Sequence, residues 1–341
     1  MKEDLEKKIS EPTSTGGEKS GQEQNQLSGP SRTKLMVLGW IVLVLSIVGG
    51  SFAGTSSNLL HTEISWVKTC WAQALRVVYC TPLVVAEVCL KQDYRQKLWS
   101  ALTRRNVCTL LLIQMLYSFW CFGLLYGADN MIQSHAYICN TMFSIFVVLF
   151  GYCLCLKPSR LELLGLFLTI VGVAMMFNDS KAERTDGKVA TWWHYAVCIS
   201  AAFGVAIYFM FNGYLVKAFP LFTLLLLQSL IGYVYIVILL FALYPSQFSL
   251  FSMDRDWGGF GLFHPEEAFY AIVCFGMTSG FWGSLGFVIA LYFFSPVIVS
   301  ASILFLPFLG QLIGYWMDID MLPGWLTWSG TVCVFFGVLG I

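Results

Sequence analysis

Residues 35–57 read LMVLGWIVLVLSIVGGSFAGTSS, a run that contains no charged side chain. A bilayer core about 30 Å thick is crossed by roughly 20 apolar residues in a helix, so this run predicts a first membrane-spanning helix. The preceding residues 1–34 are rich in Glu, Lys, Ser, Gly and Gln and have no apolar face. This composition predicts a disordered N-terminal segment, because it offers too little apolar surface for burial.

The composition of the whole chain agrees with this first run. Of the 341 residues, 57% are hydrophobic and only 12% are charged, and the mean hydropathy is +0.70. Soluble domains are about 45–50% apolar and about 25% charged. The composition therefore excludes a disordered protein, a disulfide-stapled secreted domain and a soluble enzyme of the usual type. The formal net charge is zero, so no basic excess indicates nucleic-acid binding.

Further apolar runs of sufficient length follow along the chain, separated by charged residues and turn formers. The predicted spans are 35–57, 67–90, 107–127, 131–155, 161–177, 192–212, 221–244, 268–292, 296–316 and 323–341. Helices are expected, because lipid offers the backbone no hydrogen bonds and the runs are too long for barrel strands. The sequence therefore predicts an all-α integral membrane protein with ten transmembrane helices.

The placement of Lys and Arg predicts the orientation in the membrane. Most of the 20 Lys and Arg residues fall in segments on the same side as the N-terminus, and residues 91–106 are especially rich in them. Such segments are usually cytoplasmic, so both termini are expected in the cytoplasm. The membrane itself, plasma or internal, is not distinguished. The last span runs to Ile341 without a polar tail, so either it ends flush with the membrane or the chain is truncated there.

Similar residues recur in the same order in two parts of the chain, 35–177 and 192–341, which a non-cytoplasmic linker at 178–191 joins. The recurring residues are Gln73 and Gln228, Phe119-Trp120 and Phe281-Trp282, Gly151-Tyr152 and Gly314-Tyr315, and Gly165 and Gly172 with Gly330 and Gly337. Each part holds five predicted spans, an odd number, so the second part must enter the membrane from the opposite side. Two inverted five-helix repeats are predicted, an arrangement in which many secondary transporters bind substrate near the membrane midplane.

These residues resemble the drug/metabolite transporter superfamily, in particular its EamA-like ten-helix members. The matching residues are Leu75-Arg76, the stretch from Tyr117 to Trp120, Leu306-Pro307, Gly314-Tyr315, Asp320, Gly330 and Gly337. The first repeat departs from the family in having Ser144 where a proline is usual and Lys157-Pro158 where an acidic turn residue is common. The resemblance implies two EamA-like repeats that transport a small organic solute such as an amino acid, nucleotide sugar, purine or sugar phosphate.

Arg76 is the most informative candidate for a solute site. A charge in the middle of a transmembrane helix costs about 2.5–3.5 kcal/mol on insertion scales, so a cavity, a carboxylate or backbone carbonyls must offset it. Arg76 is either a solute-facing cation for a carboxylate or phosphate, or a structural arginine bonded to helix ends. Glu87 shares its helix face and is the candidate for proton coupling, with snorkelling at the cytoplasmic end as the alternative.

The remaining candidates are polar or aromatic side chains within predicted spans. They are Gln73, Gln114, Tyr117, Trp120, Asn140, Gln228, Trp282 and Ser284. Buried amides and hydroxyls either line a hydrophilic cavity or join helices, each hydrogen bond then contributing about 0.6 kcal/mol. Trp120 and Trp282 either stack on a flat solute or belong to the core.

The expected function is secondary transport of a small organic solute by alternating access between the two repeats. A gradient or exchange must drive it, because the sequence contains no nucleotide-binding motif. The alternatives are a non-transporting membrane scaffold or channel, or an intramembrane enzyme, for which neither H-E-x-x-H nor G-x-S-x-G occurs. No metal or cofactor is expected, since Cys153-x-Cys155 lacks a partner pair. The expected partners are the solute and the lipid bilayer, and a homodimer stays open.

Overall fold

The computed structural model describes residues 32–153, 160–179, 185–294, 299, 302–303 and 305–339. By internal contacts the chain divides into residues 1–38, of which the described part begins at Arg32, and residues 39–341. Some sequence predictions lie outside the described residues, namely the disorder of residues 1–31, the Lys157-Pro158 turn, and parts of the 178–191 linker and of the 296–316 span. Within the described ranges the chain is helical without a strand, and an isolated bridge joins Ser249 to Gly258.

Every predicted span contains a helix in the structure. The helices are α1 Arg32–Asn58, α2 Ser65–Leu90, α3 Tyr94–Ala101, α4 Arg104–Asn130, α5 Gln133–Thr141, α6 Phe143–Cys153, α7 Arg160–Phe177, α8 Trp192–Ala218, α9 Leu221–Leu243, a π-helix Tyr270–Leu285, α10 Gly286–Phe293, α11 Leu306–Trp316 and α12 Trp325–Leu339. Among the described residues, 6 helical stretches are long and apolar enough to cross a membrane, namely α1, α2, α4, α8, α9 and the continuous stretch Tyr270–Phe293. The all-helical membrane class is confirmed, and the number of ten spans stays a prediction.

Large apolar side chains are exposed along these helices. Val44, Leu112, Ile238 and Phe167 are 54%, 55%, 60% and 61% exposed, and each lies in the interior of a long apolar helix. A monomeric protein in water rarely exposes such extended apolar surface. These faces are therefore suited to contact with lipid chains.

Three features depart from the pattern of simple spans. The helix α3 forms within residues 91–106, a segment that the sequence predicted only as a positively charged connection between spans. The span predicted at 131–155 is interrupted at Met142, whose N–H is shared between two carbonyls of the preceding turn. The segment Tyr270–Leu285 is π-helical instead of α-helical. π-Helical segments are rare in proteins, and those that occur as single turns within α-helices are often found at functional sites.

The helices α7 and α12 pack closely along glycines. A Cβ built on Gly330 would lie 2.5 Å from the carbonyl oxygen of Gly172, and one built on Gly337 would lie 2.6 Å from that of Gly165. Side chains at these positions would push the backbones apart, so glycine is required for the close approach. The order of these contacts along the two helices makes the pair antiparallel.

Two further pairs of helices approach closely at small residues: α4 with α8, and α1 with the stretch Tyr270–Phe293. The close pairs are Gly123 with Ala201 and Leu116 with Gly204 for the first, and Gly286 with Ser46 and Thr278 with Gly49 for the second. In each pair the missing glycine side chain lets the neighbouring helix come into contact.

Carboxylates stand at the starts of two helices. Asp179, just after α7, accepts hydrogen bonds from the N–H and the hydroxyl of Thr327 in the first turn of α12, at 3.0 and 2.7 Å. Glu87, near the end of α2, makes the same two bonds with Thr223 in the first turn of α9. A carboxylate at a helix N-terminus accepts hydrogen bonds from N–H groups that have no partner within the helix, and its charge interacts favourably with the helix dipole. Because the end of one helix meets the start of the other, α2 and α9 are antiparallel, as α7 and α12 are.

Candidate functional site

The side chain of Arg76 on α2 is the buried cation of the candidate site, at only 3% exposure. Its Nε donates to the carbonyl oxygen of Gly280 at 3.2 Å, and its terminal nitrogens donate to the Cys121 sulfur at 3.3 Å and the Ser284 hydroxyl at 2.5 Å. All three partners are neutral. Among the described residues no carboxylate forms an ion pair with this guanidinium. A counter-ion for Arg76 is therefore missing from this part of the chain.

The ring of Tyr117 on α4 lies against the guanidinium. Its centroid is 5.4 Å from Cζ of Arg76, within the range of cation–π attraction. The same ring packs against Trp120 at 5.4 Å and against Tyr208 of α8 at 4.6 Å. Trp120 in turn donates from its indole N–H to the backbone carbonyl of Asn140 at 3.4 Å. An aromatic group thus fixes Arg76 from the side of α4.

A small cavity of about 30 Å³ lies beside Arg76. The predicted site residues in its wall are Arg76, Trp120, Asn140 and Ser284. The side-chain oxygen of Asn140 is buried and has no hydrogen-bond partner among the described residues. A volume of this size holds one or two water molecules but no organic solute. The helices are therefore closed around this point, and a solute can enter only if they separate.

The structure brings Gln73 and Gln114 together, but neither lines this cavity. Both side chains, one from α2 and one from α4, approach Gly232 of α9. Gln228 lies one turn before Gly232 on α9, and its Nε2 donates to the side-chain oxygen of Asn212 at 2.7 Å. Gln228 thereby joins α8 to α9, which favours its interpretation as a bond between helices.

Trp282 and Glu87 lie apart from the cavity. Trp282 is half-buried, and its ring packs edge-on against Phe281 with centroids 5.1 Å apart. The Glu87 carboxylate accepts from Lys91 Nζ at 2.7 Å and from Thr223 at 3.1 and 3.2 Å. These bonds occupy both oxygens and favour an anchoring role for Glu87. Proton coupling through Glu87 stays a prediction, and it would require these bonds to open.

A buried ion pair that the sequence analysis missed lies near the other end of α2. Nζ of Lys68 is 2.7 Å from Oδ1 of Asp129, and their side chains are 3% and 8% exposed. Asp129 also accepts from the hydroxyls of Ser65 at 2.7 Å and Ser57 at 3.2 Å. The pair lines a polar pocket of about 500 Å³. The sequence signal for this pair is the position of Lys68 and Asp129, each of which lies at the end of a long apolar run.

The side chains around Arg76 are suited to binding an anionic or polar organic group. They offer a buried cation, an aromatic face and the unpartnered oxygen of Asn140. In the described ranges no group of three His, Cys, Asp or Glu side chains could hold a metal ion.

Comparison with known proteins defines the fold alone. No family model and no curated protein matches the sequence. Several solved structures have a similar fold, and one crystal structure of a protein matches with a TM-score of 0.58 over 91% of this chain and 96% of that chain, at 11% sequence identity. The likeness concerns the fold alone, and the membrane character of the chain comes from its long apolar helices. At such low identity it carries no information about activity.

Proposed function

We propose that this protein is a secondary transporter of the EamA-like type, which moves a small organic solute with an acidic group by alternating access. The observation that carries the proposal is the position of Arg76. It belongs to the first half of the chain, and it bonds to Gly280 and Ser284 of the second half without a carboxylate partner among the described residues. A bound solute anion would supply that partner, and it would do so at the contact between the two halves.

The proposal includes two inverted repeats at 35–177 and 192–341, and the contacts between helices support it. The sequence repeat equates Gly165 with Gly330 and Gly172 with Gly337. The observed close contacts are Gly165 with Gly337 and Gly172 with Gly330. Exchanging each residue for its equivalent turns one contact into the other, as a two-fold axis requires. Because α7 and α12 are antiparallel, that axis would lie in the membrane plane.

The same exchange relates the contacts of other helices. The shift along the chain that equates Gly151 with Gly314 also equates Gly123 with Gly286, and the shift from Gln73 to Gln228 equates Ser46 with Ala201. The contact of Gly123 with Ala201 therefore corresponds to that of Gly286 with Ser46. The same correspondence holds at separate contacts between helices. It therefore favours a repeat of the whole five-helix unit over a chance likeness of one helix pair.

In this proposal the two halves rock against each other, so that the region around Arg76 opens to one side of the membrane at a time. A solute gradient or exchange provides the driving force. Asn140 and Ser284 border the cavity beside Arg76 and are proposed to contact the solute. Tyr117 and Trp120 are proposed to form an aromatic wall against the bound solute. The proposal includes cytoplasmic N- and C-termini.

The proposed topology predicts where two inserted tags are exposed. One short epitope is inserted before Arg160 and another, in a separate variant, after Val189, and antibody access is compared in intact and permeabilised cells. With ten spans, the first tag is cytoplasmic and the second is on the opposite side. With only the six long stretches as spans, both sites lie in one connection and share a side. Finding both tags on one side would contradict the inverted repeats.

Transport itself is tested by uptake into proteoliposomes that contain the purified full chain. Labelled amino acids, nucleotide sugars and sugar phosphates are supplied, with an internal load of unlabelled solute as a test of exchange. We expect saturable uptake of at least one acidic solute, accelerated by the internal load. Flux that rises in proportion to concentration would instead support a channel. No flux for any of these solutes would support a scaffold.

A further inference from the structure

The side chains of Gln73, Gln114 and Ser118 meet at Gly232, and together these four residues form a site that we call the carboxamide niche. A Cβ built on Gly232 would lie 2.6 Å from Nε2 of Gln114, 2.9 Å from Oγ of Ser118 and 3.0 Å from Cδ of Gln73. A side chain at this position would have to displace the ends of all three polar side chains. Glycine at this position of α9 therefore leaves space for the three polar groups between α2, α4 and α9.

The polar atoms of the niche are buried and unpartnered. Gln73 and Gln114 are both 0% exposed, yet neither their amide oxygens nor their amide nitrogens have a hydrogen-bond partner among the described residues, and the same holds for the Ser118 hydroxyl. A buried polar group without a hydrogen-bond partner destabilises the folded protein. Gln228, the repeat equivalent of Gln73, has its amide bonded to Asn212. The two glutamines of the niche therefore lack partners, whereas the equivalent glutamine of the second half has one.

Each glutamine of the niche lies one helical turn from a residue of the proposed solute site. Gln73 precedes Arg76 by three residues on α2, and Gln114 precedes Tyr117 by the same spacing on α4. Residues three apart on a helix share a face, about 4.5 Å apart along the axis. Tyr117 packs on the Arg76 guanidinium. A single small molecule can therefore reach both the guanidinium and the carboxamides when the helices separate.

We propose that the niche binds a neutral amide group of the transported solute, while Arg76 holds its acidic group. This inference rests on the proposed transport function. Each glutamine side chain presents a donor and an acceptor in one plane, which is complementary to the N–H and C=O edge of another amide. No charged side chain belongs to the niche, so a neutral group fits it better than a second ionised one. Both a side-chain carboxamide and the lactam edge of a nucleobase offer this chemistry.

The test compares pairs of probes that differ by the amide. Uridine 5′-monophosphate is paired with its 3-methyl analogue, in which the lactam N–H is blocked, and glutamine is paired with norvaline. Binding to the full chain is measured by thermal shift in detergent and by competition for uptake into proteoliposomes. We expect one amide-bearing probe to bind about 10-fold more tightly than its partner, as two hydrogen bonds of about 0.7 kcal/mol each imply. The pair that shows the difference distinguishes a nucleobase from a side-chain carboxamide.

Variants then locate the difference in the niche. The double variant Gln73→Met with Gln114→Met, which keeps side-chain length and removes the buried polar atoms, should bind both probes of the pair equally. Gly232→Ala should have the same effect by filling the space. Gly213→Ala is the matched control, because a Cβ there meets nothing within 4 Å. Its preference for the amide should equal that of the original protein.

The possible results separate this inference from the transport function. If neither pair shows a preference for the amide, or if the double methionine variant keeps it, the inference is wrong. Raised thermal stability of that variant with unchanged probe binding would show that the niche holds water only, and would also overturn it. Saturable uptake without amide preference leaves the transporter standing. Absence of saturable uptake for every solute overturns the transport proposal as well.

Discussion

Replacement of Asp129 by alanine is expected to destabilise the protein by about 3–5 kcal/mol, because Lys68 would be left as an unpaired buried charge. The Lys68 side chain is only 3% exposed, and its Nζ lies 2.7 Å from the Asp129 carboxylate. The same substitution removes the acceptor for the hydroxyls of Ser57 and Ser65. The measurement is the apparent unfolding temperature of the purified full chain in detergent, with monodispersity checked in parallel.

Two variants test whether the loss comes from the buried charge. Glu63→Ala removes the partner of Lys188 in an ion pair that is largely exposed, at 4.0 Å, and should change stability by at most about 1 kcal/mol. The double variant Lys68→Met with Asp129→Leu should recover most of the stability, because no lone charge remains. An Asp129→Ala protein as stable as Glu63→Ala would show that water reaches Lys68 and would contradict the prediction.

Replacement of Arg76 by methionine is expected to lower the affinity for an acidic solute about 10- to 100-fold while leaving the fold stable. Hydrogen bonds to charged groups contribute about 1.5–3 kcal/mol, and methionine can donate none. The described residues provide Arg76 with neutral partners only. Removing the guanidinium therefore leaves no unpaired opposite charge among the described residues. It also removes the free-energy cost of burying the arginine's charge. Uptake kinetics and the unfolding temperature are measured on the same preparation.

The combination of the two measurements distinguishes the interpretations of Arg76. Arg105→Met, at an exposed position in the first turn of α4, is the matched control and should alter neither quantity. If Arg76→Met lowers the unfolding temperature by many degrees and the remaining folded protein transports normally, the arginine is a structural bond between helices. Normal uptake and normal stability together would remove it from the solute site.

The positions of the helices could be predicted from the sequence because the solvent is lipid. A backbone in a bilayer must satisfy its own hydrogen bonds, so a long apolar run has one available structure, the helix. The predicted span 221–244 agrees with Leu221–Leu243, and 67–90 lies within Ser65–Leu90. Helix ends were harder to predict, and α8 continues to Ala218, six residues beyond the predicted limit of 212, since its last turns carry polar residues.

The partners of the candidate side chains could not be predicted, because they depend on how helices distant in sequence cross. Hydropathy marked Arg76 as unusual, but its contact with the π-helical segment follows from the fold. Residue type and helix face predicted Gln73 and Gln114 near Arg76, and in the structure their side chains approach Gly232. A period of 3.6 residues gives the face of one helix and contains no information about which helix that face meets.

The amino-acid sequence by itself determined that this protein is a set of apolar helices, because local hydrophobicity and length are sufficient for that choice in a membrane. It also contained the repeated residues on which the inverted architecture is proposed. Only the tertiary structure decided that Lys68 pairs with Asp129, that Arg76 has neutral partners among the described residues, and that Gly232 makes room for two carboxamides. Hydrogen bonds and ion pairs act over a few ångströms, so these pairings exist only once the helices have packed.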